Sequence, residues 1–275
     1  MSSIIIPPLP TIVAQVIQFD ANNPKNGAAD LEKLVIPDKA ISAELLRVAN
    51  SAFYGRSGKV KILRDALAVL GIKATKNLVI YLSTKTMAST YKSEAFKKYL
   101  NRFPIYSALI AQGIAQETSI RAQADEAFLA ALLHSIGMNI MALQNQGHFS
   151  DMLQACEKNK WDLLKLEKQS YGTTHIELGK KAALEWKLPD EFQPLMEISP
   201  SSDCASLVSP IEKVTFVASV CASLLLGIPV TETAKTGAQR CYNELGGTHN
   251  VLLRHAAPDT QVKIEAHPFT QLASV

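Results

Sequence analysis

The sequence predicts an all-α fold. Apolar residues recur at helical spacing almost throughout, and capping residues and prolines stand where helices would begin. No convincing strand pair or Asn-Gly hairpin accompanies them. With 275 residues, 47% apolar and only 19% charged, the chain can bury a sizeable core and is not of disordered composition.

The elements follow in order. After the extended Pro7-Pro8-Leu9-Pro10 segment, Ile12, Val13, Val16 and Ile17 form a first stripe. Asp30 is placed to cap a short helix through Val35, and Asp38 to cap one presenting Ile41, Leu45, Leu46 and Val48. Asp65 to Leu70 reads as a helix stopped by Gly71, followed by Thr75 to Met87 and a basic helix around Ala95 to Leu100. Pro104 suits the first turn of a helix through Glu117. An apolar helix from Asp125 is expected to run through Gly137 toward Leu143. Asp151 to Lys158 and Trp161 to Gln169 are amphipathic, with Trp161 and Trp186 read as packing residues. Thr173 or Thr174 starts a helix to Trp186, Pro189-Asp190 a short one, and Pro210 an apolar one to Leu226. Ser199 to Ser209 reads as a connector, and the chain from Gly246 as a loop-rich tail.

Composition narrows the function classes. Apolar runs such as Val214 to Ile228 are short and interrupted by hydroxyl residues, so no membrane span is expected. Met1 to Pro10 lacks a basic, cleavable leader. Cys156, Cys204, Cys221 and Cys241 follow no disulfide or metal spacing, and the expectation is a cytoplasmic protein with reduced, buried thiols. Net charge is +3, but Arg56 to Arg102 holds eleven basic residues against two acidic ones, a local +9. Such a stretch is either a set of solvated helix faces or a surface steering an acidic partner or nucleic acid. No recognisable nucleic-acid reading motif accompanies it, which leaves nucleic acid the weaker choice. Nucleophile-elbow, Walker and dinucleotide-binding patterns are absent. His249, His255 and His267 are too irregularly spaced for a metal site.

Four motifs carry a family resemblance. Leu132-Leu133-His134-Ser135-Ile136-Gly137 resembles the Leu-Leu-His-Asp-Ile-Gly stretch of HD-type phosphohydrolases, with Ser135 where the aspartate stands. Ala49-Asn50-Ser51-Ala52-Phe53-Tyr54-Gly55, Asp65 to Gly71, and Gly172 to Gly179 containing His175 resemble HDOD domains, the HD-related output domains of bacterial signalling proteins. The resemblance spans about residues 7–226. It implies an N-terminal helical bundle (7–87) packed on an HD-like bundle (88–226), with 227–275 as a C-terminal helix and loop-rich tail. It implies a stand-alone regulatory or output module acting through protein contacts, its signalling partner unnamed.

An HD hydrolase holds divalent metal with a first histidine, a His-Asp pair and a late aspartate. By resemblance these positions are Tyr106, His134-Ser135 and Ser219, so three of the four ligands are replaced by neutral hydroxyls. The expectation is no metal, no cofactor and no hydrolysis, against the rival reading of an active metal-dependent phosphohydrolase. His134 and His175 are either hydrogen-bonded core histidines or, with Tyr106, Ser135 and Ser219, the lining of a residual pocket for a small-molecule ligand. Asn50 and Ser51 end a helix before Gly55, either as a structural corner or, with Phe53 and Tyr54, as a partner-binding surface. Tyr54, with its polar tip, is expected to be the more exposed of the two rings.

Overall fold

Where the sequence places capping groups, helices begin, and their apolar stripes decide what packs on what. The computed structural model describes residues 4–21, 23, 26–55, 59–88, 93–201 and 204–273, and among them every regular element is helical. Helix α1 (Thr11–Gln18) follows Pro10 and buries Val13 and Val16. In α2 (Ala28–Val35) Gly27 is the N-cap; Asp30 lies inside the helix and accepts the Gly27 N–H at 3.1 Å. The expected Asp30 cap is corrected accordingly. Asp38 caps α3 (Lys39–Ala49) by accepting the Ile41 N–H at 3.0 Å. Helix α4 (Leu63–Leu70) ends at Gly71, whose φ of +80° disfavours a side chain, and α5 (Ile72–Ala88) departs from there. These five helices pack on one another, and α5 then leans on the second half of the chain.

Helix α6 (Glu94–Phe96) passes through a π-helical turn, Lys97–Arg102, into α7 (Phe103–Glu117), with Pro104 in its first turn. The anticipated helix through Gly137 is two helices, α8 (Ala124–Leu133) and α9 (Ile136–Gln144), because the chain turns at His134 and Ser135. There follow α10 (Gln146–Asn159), α11 (Leu163–Tyr171), α12 (His175–Glu185), α13 (Phe192–Leu195), α14 (Pro210–Leu225) and α15 (Glu232–Glu244). Helices α7, α8 and α14 pack mutually, α15 covers α14, and α5 reaches α8 and α9. The segment Arg121–Gln144 is long and apolar enough to cross a membrane, but 89% of its apolar window is buried inside the fold. All four cysteines are buried free thiols. Trp186 packs at the core and donates to the Pro7 carbonyl at 2.8 Å, whereas Trp161 is 55% exposed and is not a core residue.

The tail departs from expectation. It forms α16 (Val251–His255), α17 (Pro258–Ala266) and α18 (Pro268–Ala273). Asn250 caps the first, and Pro258 and Pro268 open the others. Their short length and polar faces hide them from a periodicity reading, yet Val251, Ile264 and Phe269 are buried. A polar anchor ties this segment down. Glu117, at the end of α7, accepts from Arg254 Nε (2.7 Å) and the Tyr242 hydroxyl (2.7 Å) and pairs with His255 Nε2 (2.6 Å).

The basic stretch is largely tied to its neighbours. Lys76 is half-buried and donates to the carbonyls of Ile17 (3.0 Å) and Phe19 (2.7 Å) at the end of α1, so it is structural. Arg64 pairs with Glu32, Lys73 with Asp125, Lys97 with Glu94 and Lys98 with Glu157. Arg56, Lys92 and the Lys85 side chain lie outside the described residues.

Burial opposes ionisation of Glu117, but the bonds from Arg254, Tyr242 and His255 outweigh it and hold its pKa at about 2. A carboxylate depressed in this way stabilises the fold above its unfolded value, near pH 4.5, and loses that contribution as pH falls toward 2. Glu117→Gln should cost about 1–3 kcal/mol at neutral pH. It should also flatten the fall in thermal midpoint between pH 5 and 3, read by circular dichroism.

Candidate functional site

The site is built where α8, α9, α11 and α12 meet. Helix α12 starts at a fixed residue because Thr174 and Glu177 form a reciprocal cap: the Thr174 hydroxyl accepts the Glu177 N–H at 3.2 Å, and the Glu177 carboxylate accepts the Thr174 N–H at 3.3 Å. His175 is therefore the first helical residue. Gly137, in the first turn of α9, lies so close to this helix that an added Cβ would stand 1.9 Å from the His175 carbonyl oxygen and 2.8 Å from the Gly179 nitrogen. Two glycines thus let α9 and α12 touch by backbone, bringing the His134-Ser135 turn beside His175.

The two histidines differ in their surroundings. Glu167, fully buried on α11, accepts the backbone N–H of His175 at 2.9 Å and meets its Nδ1 at 2.8 Å. This carboxylate was missed from sequence. The available signal was its spacing, four residues after Leu163 on the inward stripe of an otherwise polar helix. His134 is 3% exposed, with Nδ1 2.7 Å from the Ala131 carbonyl oxygen and its ring centroid 5.5 Å from that of Phe103. Burial pushes its pKa down to about 4, against the opposing bond to Ala131, and nearby His175 adds to the depression. Its Nε2 and the Ser135 hydroxyl are enclosed without a hydrogen-bond partner among the described residues.

Beside them lies a cavity of about 360 Å³, walled by Tyr99, Phe103, Met138, Trp161, Ile198 and Val230, with the residues His134, Ser135 and His175 on its lining. The size falls within the range of small-molecule sites. Tyr106 and Ser219 are not part of it. The Tyr106 hydroxyl donates to Glu265 of α17 at 3.1 Å, and burial together with that carboxylate pushes its pKa up to about 12. Ser219 donates to the Phe216 carbonyl of its own helix at 2.8 Å. The expected five-residue pocket is thus corrected to three of its members, His134, Ser135 and His175, with Tyr99 and Phe103 among the other lining residues. Tyr106 does lie on α7, but its hydroxyl is turned to the tail helix α17 and not to this cavity.

The donors do not fit a hydrolytic metal. Two imidazoles and a serine hydroxyl offer no anionic ligand, the Glu167 carboxylate is engaged with His175, and no group of three or more His, Cys, Asp or Glu is placed to hold an ion among the described residues.

The second candidate surface also divides. Asn50 is a structural corner: its amide donates to Leu46 O (3.0 Å) and Val60 O (2.8 Å), and its oxygen accepts the Val60 N–H (3.0 Å). Ser51 is half-buried, its hydroxyl enclosed without a partner. Phe53 is 60% exposed, whereas Tyr54 packs partly into the core, so the expected order of exposure is reversed. Gly55, at φ +62°, ends the short turn that leaves the Phe53 ring outside, against His267 at 4.8 Å between centroids.

Fold and site together define an all-helical domain in which a histidine-bearing helical turn faces a second, carboxylate-braced histidine. The chain belongs to the HDOD domain family, whose sequence profile matches residues 6–200. The match ends before the 226 anticipated above. Among solved structures, the chain is similar to an HDOD domain protein of unknown function from Geobacter sulfurreducens, with a TM-score of 0.74, 21% identity and 96% and 92% of the two chains covered. A candidate signal transduction protein from Marinobacter aquaeolei VT8 aligns with a TM-score of 0.72 and 23% identity over 98% of this chain and 59% of its own. A candidate phosphohydrolase from Shewanella amazonensis SB2B aligns at 0.67 and 21% over 98% and 95%. An uncharacterized protein of Treponema pallidum (strain Nichols) is 23% identical over 185 residues, and the match spans 67% of this chain but about a third of that protein's length (36%).

Two outcomes follow from this geometry. Gly137→Ala should cost about 3 kcal/mol or prevent folding, as the two backbones have no room to part without breaking the site; chemical denaturation reads it. Acidification should weaken the fold between about pH 6.5 and 4. Unfolded His134 takes a proton near its ordinary value and the folded ring resists, so proton uptake favours the unfolded chain. His267, pushed down to about 4 by burial, acts in the same direction. His134→Phe should flatten the midpoint across that window.

Proposed function

We propose that this chain is a non-catalytic, cytoplasmic regulatory module that relays a signal through protein contact. The observation that carries the reading is the donor set at the α8–α9 turn. The cavity and the motif histidine persist, while the carboxylates that would hold and activate a hydrolytic ion do not stand beside it. A fold alone does not confer an activity when its site is gone. Membership of the HDOD domain family supports the reading, as does the naming of a structural relative for signal transduction. The exposed Phe53 ring is the face proposed for the partner, since uncovered aromatics are favoured anchors at interfaces.

Two measurements test this. Purified protein should carry no stoichiometric iron, manganese or zinc and should leave phosphodiesters and nucleotides intact. Metal at His134 with metal-dependent turnover would overturn the proposal in favour of a phosphohydrolase. Phe53→Ala should leave folding stability within about 1 kcal/mol of the unaltered chain, because the ring is mostly solvated. It should weaken capture of a partner identified by co-purification by about tenfold, on the order of 1.4 kcal/mol. Unchanged capture removes Phe53 from the interface.

A further inference from the structure

The cavity beside the His134-Ser135 turn also constrains what can enter it. The Ala131 carbonyl oxygen, 2.7 Å from Nδ1 of His134, can only accept a hydrogen bond, so Nδ1 carries the ring proton. In the neutral ring that burial favours, Nε2 is then a bare lone pair, enclosed and without a partner among the described residues. The chain thus buries an acceptor whose natural complement is absent from its own side chains, and such a group is costly unless something donates to it. The Ser135 hydroxyl beside it is likewise unpartnered. His175 directs Nδ1 at the buried Glu167 carboxylate. The surrounding walls are mainly aromatic and aliphatic, with Ser199, Ser201 and Thr231 also on the lining, and Trp161 keeps more than half of its surface uncovered.

We propose that this cavity binds a neutral, ring-bearing small molecule that donates a hydrogen bond from a hydroxyl or N–H to Nε2 of His134, and that it rejects phosphates and carboxylates. An anion at that position would face a lone pair and not a donor. Lys160, the one lysine or arginine on the lining among the described residues, is exposed, with Asp162 also on the lining, so it supplies no buried countercharge. Tyr99, Phe103 and Trp161 offer ring faces for stacking. The proposal goes beyond the output role argued above and does not depend on it.

Matched probes test it on the full chain. Calorimetry would compare 2-naphthol with 2-methoxynaphthalene and 2-naphthyl phosphate, and indole with N-methylindole. The donor-bearing members should bind at least tenfold more tightly than their methylated partners, and the phosphate should not bind. In the His134→Phe variant, which keeps a ring but removes the acceptor, the advantage of the donor should vanish. Should that variant not fold, the nitrogen resonance of His134 Nε2 in the unaltered protein gives the same reading. It should shift toward its hydrogen-bonded value with naphthol and stay in place with the ether. Equal affinity for donor and ether, phosphate binding as tight as naphthol, or a site that takes none of these probes would overturn the proposal.

Discussion

The backbone contact between α9 and α12 is the constraint on which the site depends. Packed helices ordinarily keep a layer of side chains between their axes. Here Gly137 removes that layer, and the His175 carbonyl occupies the space a methyl group would need. Three consequences follow from one missing side chain. The turn at His134 and Ser135 is held against the start of α12, His175 is brought to the same cavity, and α11 can set Glu167 behind it. A buried carboxylate is tolerable only with such partners, and Glu167 finds both the backbone and the ring of His175.

Much of the helix order was legible because local chemistry and tertiary packing agree. Asp38, Pro104, Thr174 and Pro210 each stand at or next to a helix start, and Gly71 ends one with a positive φ. The failures have physical causes. The break at His134 lies in a run that is apolar on every face, where periodicity carries no information about a turn. Tyr106 was assigned by resemblance, and its hydroxyl is drawn away from the cavity by Glu265, a partner 159 positions distant that no local pattern reveals. The tail helices are too short for a stripe, and the first of them is held by polar contacts to Glu117, whose partners lie more than a hundred positions away.

The same limit explains the aromatic pair. A polar tip suggested that Tyr54 would face water, but exposure at a turn follows the direction of the backbone and not the hydrophilicity of the side chain. The Gly55 turn sends Phe53 outward and lays Tyr54 against the core, where burial raises the pKa of its hydroxyl. His134 and Ser135, by contrast, could be named from the motif alone. The cavity they face could not, because its walls come from segments spread between Tyr99 and Thr231.

The buried thiols give the chain built-in clocks. Burial pushes Cys156 up to about 11 and Cys221 to about 12, so the reactive thiolate is scarce at neutral pH even before access is considered. Alkylation at each sulfur therefore proceeds only through conformations that admit reagent. Cys221 lies in the middle of α14, within the central packing, and its labelling rate reports opening of the body of the fold. Cys156 lines the cavity beside His134, and its rate reports local opening there. Any occupant that seals the cavity would slow the second clock and leave the first running at its own pace.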